Sequence, residues 1–173
     1  MASGILFPVM AIIVIVSLQP AAGESEMNMV FYLHDNLSGT NVTSFPVAGL
    51  NGSSSDAGKF GTLVVTSDVK TKGPNSGSDN IAGRAQGTYV NTNMVNGLDF
   101  SMVFTLIFED MEYGGSTLVI RGTDRFDQPQ CEYALVGGTG KFRFARGYAV
   151  VTTESVSAPN AVLKFNTTFL IPS

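Results

Sequence analysis

Apolar and polar positions alternate along most of this chain in short runs, and glycine, serine and asparagine cluster between them, which is the pattern of strands joined by turns. Residues 27–37 (MNMVFYLHDNL) set Phe31, Leu33 and Asp35 on one face and Tyr32 and His34 on the other. A polar stretch reaching Gly58 follows and predicts a long surface loop. Further strands are predicted over 59–69, 81–91, 98–109, 116–124, 132–136, 142–154 and 161–170, about eight in all, with no convincing amphipathic helix. An antiparallel β-barrel leaves no open edge in such a sheet, and about eight strands enclose room for one small ligand, so the predicted fold is an all-β, eight-stranded antiparallel barrel.

Two of these strands have an unusually bare face. In 81–91 the row Gly83, Ala85, Gly87, Tyr89, Asn91 opposes Ala82, Arg84, Gln86, Thr88, Val90. In 142–154 the row Ala145, Gly147, Ala149, Val151, Thr153 opposes Phe142, Phe144, Arg146, Tyr148, Val150. Small residues there serve sheet twist and bulges, or leave space beside the strand for another backbone or a ligand. The bare rows carry the hydroxyls of Tyr89 and Thr153, while Asp35 follows Phe31 and Leu33, and Asp124 follows Leu118 and Ile120 on one face. Facing inward, these four predict two carboxylates and two hydroxyls around one mouth of an apolar cavity, the usual makeup of a small-molecule site.

Composition narrows the partners. With 173 residues, 44% hydrophobic and 14% charged, the chain suits one domain with a sizeable core. A net charge of -4 and the lack of any Lys or Arg run argue against nucleic acid or an anionic membrane surface. Residues 1–23 read as a secretory signal with cleavage after about Gly23, leaving 24–173 as the mature domain; a membrane anchor is the rival reading, but the apolar run is shorter than the ~20 residues a span requires. Export gives meaning to glycosylation sequons at Asn36, Asn41, Asn51 and Asn166, the last inside a strand-like run and expected to be silent. Cys131 is the only cysteine, so stability is expected from packing without a disulfide.

The chemistry on offer is limited. One His and one Cys cannot assemble a redox metal centre, and no metal or cofactor is expected. His34 is expected on the outer face opposite Asp35, and a serine-type triad would depend on it without a G-x-S-x-G elbow. GGTG at 137–140 lacks the ending of a phosphate loop and reads as a turn. What remains is a cavity that binds, orients and exchanges a proton. In apolar surroundings Asp35 and Asp124 resist ionising and can hydrogen-bond a phenol or carbonyl oxygen; alternatively each satisfies backbone donors or an arginine.

FYLHDNLSGTN at 31–41, GRAQGTYV at 83–90, GSTLVIRGTD at 115–124 and VGGTGKFRFARGYA at 136–149 resemble, in that order and spacing, the dirigent protein family of land plants. The resemblance implies a barrel similar to allene oxide cyclase, a homotrimer, and secretion to the apoplast. It also implies that a separate laccase or peroxidase makes phenoxy radicals, which the dirigent protein orients so that coupling gives one stereoisomer, as in lignan biosynthesis. Some relatives instead close rings on quinone methides, as pterocarpan synthases do. Carried over motif by motif, the family's pocket residues fall on Asp35, Tyr89, Asp124 and Thr153: the two aspartates as hydrogen-bond donors or acid/base groups, Tyr89 and Thr153 as substrate-positioning groups. The family's pocket arginine falls on Cys131, and the paired cysteines of lignan-forming members are absent. Without that fixed cation the chain fits the branch with pterocarpan-type members better than pinoresinol formation. The leading reading is orientation of phenolic radicals or quinone methides for stereoselective coupling; ring closure without an oxidase and non-catalytic binding of a cell-wall phenolic are the alternatives.

Overall fold

In the computed structural model, which describes residues 23–50 and 56–172, the strands are β1 Glu24–Asp35, β2 Ser44–Ala48, β3 Leu63–Thr71, β4 Ile81–Asn91, β5 Asp99–Phe108, β6 Thr117–Arg125, β7 Cys131–Thr139, β8 Arg146–Ser157 and β9 Asn160–Pro172. The proposed leader lies outside the described residues, as does Asn51. Each of β3 to β9 pairs antiparallel with the next, β9 pairs with β1, and β1 closes on β3 through His34 opposite Val69 and Tyr32 opposite Thr71. The result is a closed eight-stranded antiparallel barrel, as the alternation predicts. β2 is an addition to it. Where β1 leaves the edge of β3, β2 takes over through Ser44 opposite Thr66, with Pro46 tolerated because β2 has no second neighbour.

Three boundaries differ from the sequence reading, each for a local reason. β2 lies inside the predicted loop, since five residues backed by two buried hydroxyls, Ser44 and Thr66, give too short an apolar pattern to read. β8 begins at Arg146, because Gly140–Phe142 forms a single 3-10 turn and Phe144 has a positive φ of 64°. That turn buries Phe142 while Phe144 stays exposed, so the two do not share a row. β7 runs through Gly137 and Gly138, which pair with Val119 and Leu118; GGTG is therefore mostly strand, and the turn starts only at Gly140.

Inward rows fill the barrel. β5 contributes Met102, Phe104, Leu106 and Phe108, β6 contributes Leu118 and Ile120, β7 contributes Tyr133 and Leu135, and β9 contributes Leu163, Phe165 and Phe169. The bare rows also face inward, and aromatic rings occupy the space beside them. A Cβ on Gly87 would stand 2.7 Å from that of Phe104, one on Gly147 2.6 Å from that of Phe169, and one on Gly122 2.4 Å from the Tyr133 ring. The small residues thus make room for large neighbours across the strand pairs, and the open space lies elsewhere.

The barrel is plugged at one end. Phe108 packs with Phe142 and Tyr113, at centroid distances of 5.0 and 5.8 Å. Over Phe108 sits the ammonium of Lys70, 4.0 Å from the ring centroid and 5.8 Å from that of Phe31, donating to the Ala82 carbonyl at 3.2 Å. Lys70 is only 3% exposed. Burial lowers its pKa to about 8, partly countered by the acidic Asp110 and Glu109 nearby.

Candidate functional site

The opposite end opens into a cavity of about 510 Å³, within the usual size range of small-ligand sites. Its wall is mostly apolar, with Leu37, Leu98, Phe100, Met102, Phe126, Val156 and Leu163 among the lining residues. Two asparagines set its rim. Asn160 opens β9 and accepts from the Leu37 and Ser38 backbone N–H groups at 2.9 and 3.0 Å, tying the segment after β1 to the β8–β9 hairpin. Across the mouth, buried Asn91 donates to the carbonyls of Ala57 and Gly97 at 3.1 and 2.7 Å, joining two rim loops.

Of the residues predicted for the site, Asp35, Tyr89 and Asp124 line this cavity together. Asp35 ends β1, Tyr89 lies near the end of β4 and Asp124 near the end of β6, so the antiparallel order brings three distant segments to one rim. Thr153 and Cys131 are not among the lining residues. Thr153 is exposed: it pairs with Leu163 at the point where a bulge shifts the β8–β9 register, so the strand parity carried from Ala149 and Val151 ends at the rim. Cys131 turns to the backbone of Arg125, its sulfur accepting from the N–H at 3.2 Å and donating to the carbonyl at 3.6 Å. His34 shares the outer face with Val69 and Thr71, opposite Asp35 as expected, but it is buried there and hydrogen-bonded to the Thr71 hydroxyl at 2.8 Å. Burial holds its pKa below the ordinary value.

Electrostatics at the mouth are dominated by loss of water. Burial pushes Asp124 up to about 6; nearby Cys131 and Tyr133 favour its charged form, while Asp35 opposes it. Asp35 is raised as well, by burial first, with Ser44 and Tyr89 acting against it. The Tyr89 hydroxyl donates to Asp35 Oδ2 at 3.2 Å, and burial with that carboxylate holds the phenol well above its ordinary range. Asp35 Oδ1 is buried and has no hydrogen-bond partner.

The sequence reading missed a third acid. Asp68, on β3, is 5% exposed, and its Oδ1 accepts from Thr43 at 2.6 Å and from Ser44 at 3.2 Å. Burial and the neighbouring Asp35 push it up to about 7. A signal was present in the alternation of Val64, Thr66, Asp68 and Lys70, all of which face inward. The hydroxyls that hold Asp68 belong to the segment read as plain loop.

These features define a closed β-barrel, plugged at one end, with a mostly apolar cavity at the other that carries weakly acidic carboxyls. Residues 26–170 match the family model described as dirigent-like protein, and the chain belongs to the dirigent family. It is 40% identical over 136 residues to dirigent protein 11 of Arabidopsis thaliana, covering 79% of this chain and 69% of that protein. It is equally 40% identical over 134 residues to pterocarpan synthase 1 of Glycyrrhiza echinata, covering 77% of this chain and 70% of the relative. The solved structure of the pterocarpan synthase dirigent protein PsPTS1 superposes with a TM-score of 0.78 at 34% identity, over 86% of this chain and 97% of that one.

Proposed function

We propose that this barrel binds a phenolic intermediate and fixes the face on which its new bond forms, with ring closure through a quinone methide as the reaction its geometry supports best. The observation that carries this reading is the placement of Asp124 and Asp35 in an apolar cavity, both with their acidity weakened by burial. Near neutral pH Asp124, raised to about 6, keeps a proton for part of the time and can give it to a departing benzylic hydroxyl. Similarity to two solved pterocarpan synthase dirigent proteins supports the same reaction class.

The proton given to the leaving oxygen lets the carbon–oxygen bond break with its electron pair, and water departs. The ligand sheds its phenolic proton and becomes a neutral quinone methide. A phenol hydroxyl elsewhere in the ligand then adds to the methide carbon, and its proton moves to the methide oxygen. Asp35 and Asp124 are the acid/base groups, and Tyr89 is the group that holds a ligand oxygen beside Asp35. Apolar walls exclude the water that would trap the methide.

Guidance of phenoxy radicals made by a separate laccase or peroxidase is the second reading. It draws on the same apolar cavity and asks the acids only for hydrogen bonds. Chiral chromatography separates the two. Product from an isoflavanol with no oxidase present supports ring closure, an enantiomeric excess from coniferyl alcohol only when laccase is added supports coupling guidance, and silence in both refutes both.

Secretion to the apoplast and a homotrimeric assembly belong to the same proposal. Exposed Asn41 supports the first, because a glycan needs a surface site. A continuous outward row across the sheet supports the second: Phe45 stands opposite Val65, Val65 opposite Thr88, and Thr88 opposite Val103, with Phe45, Val65 and Val103 all exposed. Mass measurement of secreted, native protein before and after glycan removal tests both.

A further inference from the structure

Asp68 is a buried acid beside the mouth that the scheme above leaves unused. The β1–β3 ladder ends with His34 opposite Val69, and Asp35 and Asp68 are the next residues past its end, on the face that Leu33 and Lys70 turn inward. The start of β2 and the residue before it supply the hydroxyls around them. Thr43 and Ser44 donate to Asp68 Oδ1, Ser44 also lies 2.8 Å from the Thr66 hydroxyl, and Ser44 stands beside Asp35 as well as Asp68. The titratable groups facing this pair are Tyr89 from β4, which donates to Asp35 Oδ2, and Asp124 from β6; no basic side chain is among the groups acting on either carboxyl.

Two buried carboxylates this close, without a cation, repel one another, and Asp35 Oδ1 has no donor to compensate it. One proton between the two removes the repulsion and lessens the cost of leaving that oxygen without a donor. We propose that Asp35 and Asp68 form a pair sharing one proton, with the Ser44 hydroxyl between them, and that Asp68 supplies through Ser44 the proton that Asp35 gives to a ligand in the cavity. The second clause rests on the ring-closing reading; the first does not. The shared proton passes from Asp68 through Ser44 to Asp35, which gives it to the benzylic oxygen as water leaves. The pair, now without its proton, takes back the phenolic proton that the ligand sheds. Asp68 touches no ligand in this scheme; it is a positioning residue for the proton.

The test is a titration that needs no substrate. Protein labelled with carbon-13 at the aspartate carboxyls is followed by NMR from pH 4 to 9 in wild type, Asp35→Asn, Asp68→Asn and Ser44→Ala. Sharing predicts that the Asp35 and Asp68 signals both report the same two steps in wild type. Each Asn substitution should collapse the remaining signal to one step at lower pH. Ser44→Ala keeps both carboxyls and alters both curves together, which guards against an Asn variant that fails to fold. Independent single steps, unmoved by replacing the partner, overturn the pair. In the oxidase-free ring-closure assay, the Asp68→Asn variant should lower kcat about 10-fold with KM held, against about 100-fold or more for Asp35→Asn; a change confined to KM overturns the relay. Shared steps in a protein that closes no ring in any variant would support the pair and refute the ring-closing reading.

Discussion

Replacing Lys70 with methionine should make the protein more stable, and the gain should vanish as pH rises. Lys70 is sealed against Phe108 and Phe31, and burial brings its pKa from 10.5 to about 8. A base whose folded-state pKa is lowered binds its proton more weakly in the folded chain than in the unfolded one. Stability therefore carries the full penalty below about pH 8, rises with pH from there, and recovers near pH 10.5. At ~1.4 kcal/mol per pKa unit the shift corresponds to ~3 kcal/mol, and we expect a gain of about 1–3 kcal/mol, the lower end applying where water reaches the ammonium. Methionine is close in length, packs well on aromatic rings, and strands no acceptor, since the Ala82 carbonyl also takes the Glu109 N–H at 3.2 Å. Urea unfolding followed by circular dichroism at pH 7 and 9.5 measures the difference, which should also appear as a rise of about 2–4 °C in Tm per kcal/mol at pH 7. By pH 9.5 the gain should fall below about half its pH 7 value. A less stable variant at pH 7, or a gain independent of pH, would show that the ammonium is not desolvated as described.

Other expectations follow from the wall and the mouth. Gly87→Ala should cost about 1–3 kcal/mol by chemical denaturation, because its Cβ would stand 2.2 Å from the Val103 carbonyl oxygen, which is backbone; a neutral effect would refute the close approach. Asp68→Asn should flatten the stability profile from about pH 4 to 7, since wild-type Asp68, raised to about 7, holds its proton more tightly in the folded chain and so loses stability as pH climbs through that window. A wild-type profile rising over the same interval at this residue's expense would contradict it. Asp124→Asn should abolish stereochemical bias or rate while phenolic binding, measured by calorimetry, persists; unchanged bias and rate would remove Asp124 from the chemistry. Phe104→Ala should destabilise by about 3–5 kcal/mol by chemical denaturation, because its buried ring packs edge-on against Phe165; a loss below about 1 kcal/mol would refute that packing.

The barrel was legible in the sequence because its strands alternate cleanly and most face the core on one side only. Asp35, Tyr89 and Asp124 could be placed at one mouth because each ends an inward row near a turn. Thr153 obeys the same parity yet lies off the cavity, because parity does not reveal the bulge that follows it. Asp68 stayed hidden for another reason. Its row is mostly polar, so it reads as an outward face, and the hydroxyls that make its burial tolerable come from Thr43 and from Ser44 at the start of β2, a five-residue strand in a polar stretch. Lys70 escaped notice likewise, since a lone lysine between Val69 and Thr71 reads as solvent-facing until the rings beneath it are known.

Glycine opposite aromatic, at Gly87 with Phe104, Gly147 with Phe169 and Gly122 with Tyr133, separates two properties usually bound together in barrels. Strand number and stagger fix the girth, but the filling is decided by how far a ring from one stave lies over the bare backbone of the next. A single exchange at Phe104 or Tyr133 therefore changes the packing within the wall without re-registering any strand. The filling becomes adjustable in steps of one side chain, while the acids at the rim stay where the ladder holds them. A scaffold with that division of labour can be reshaped from within and keep its mouth.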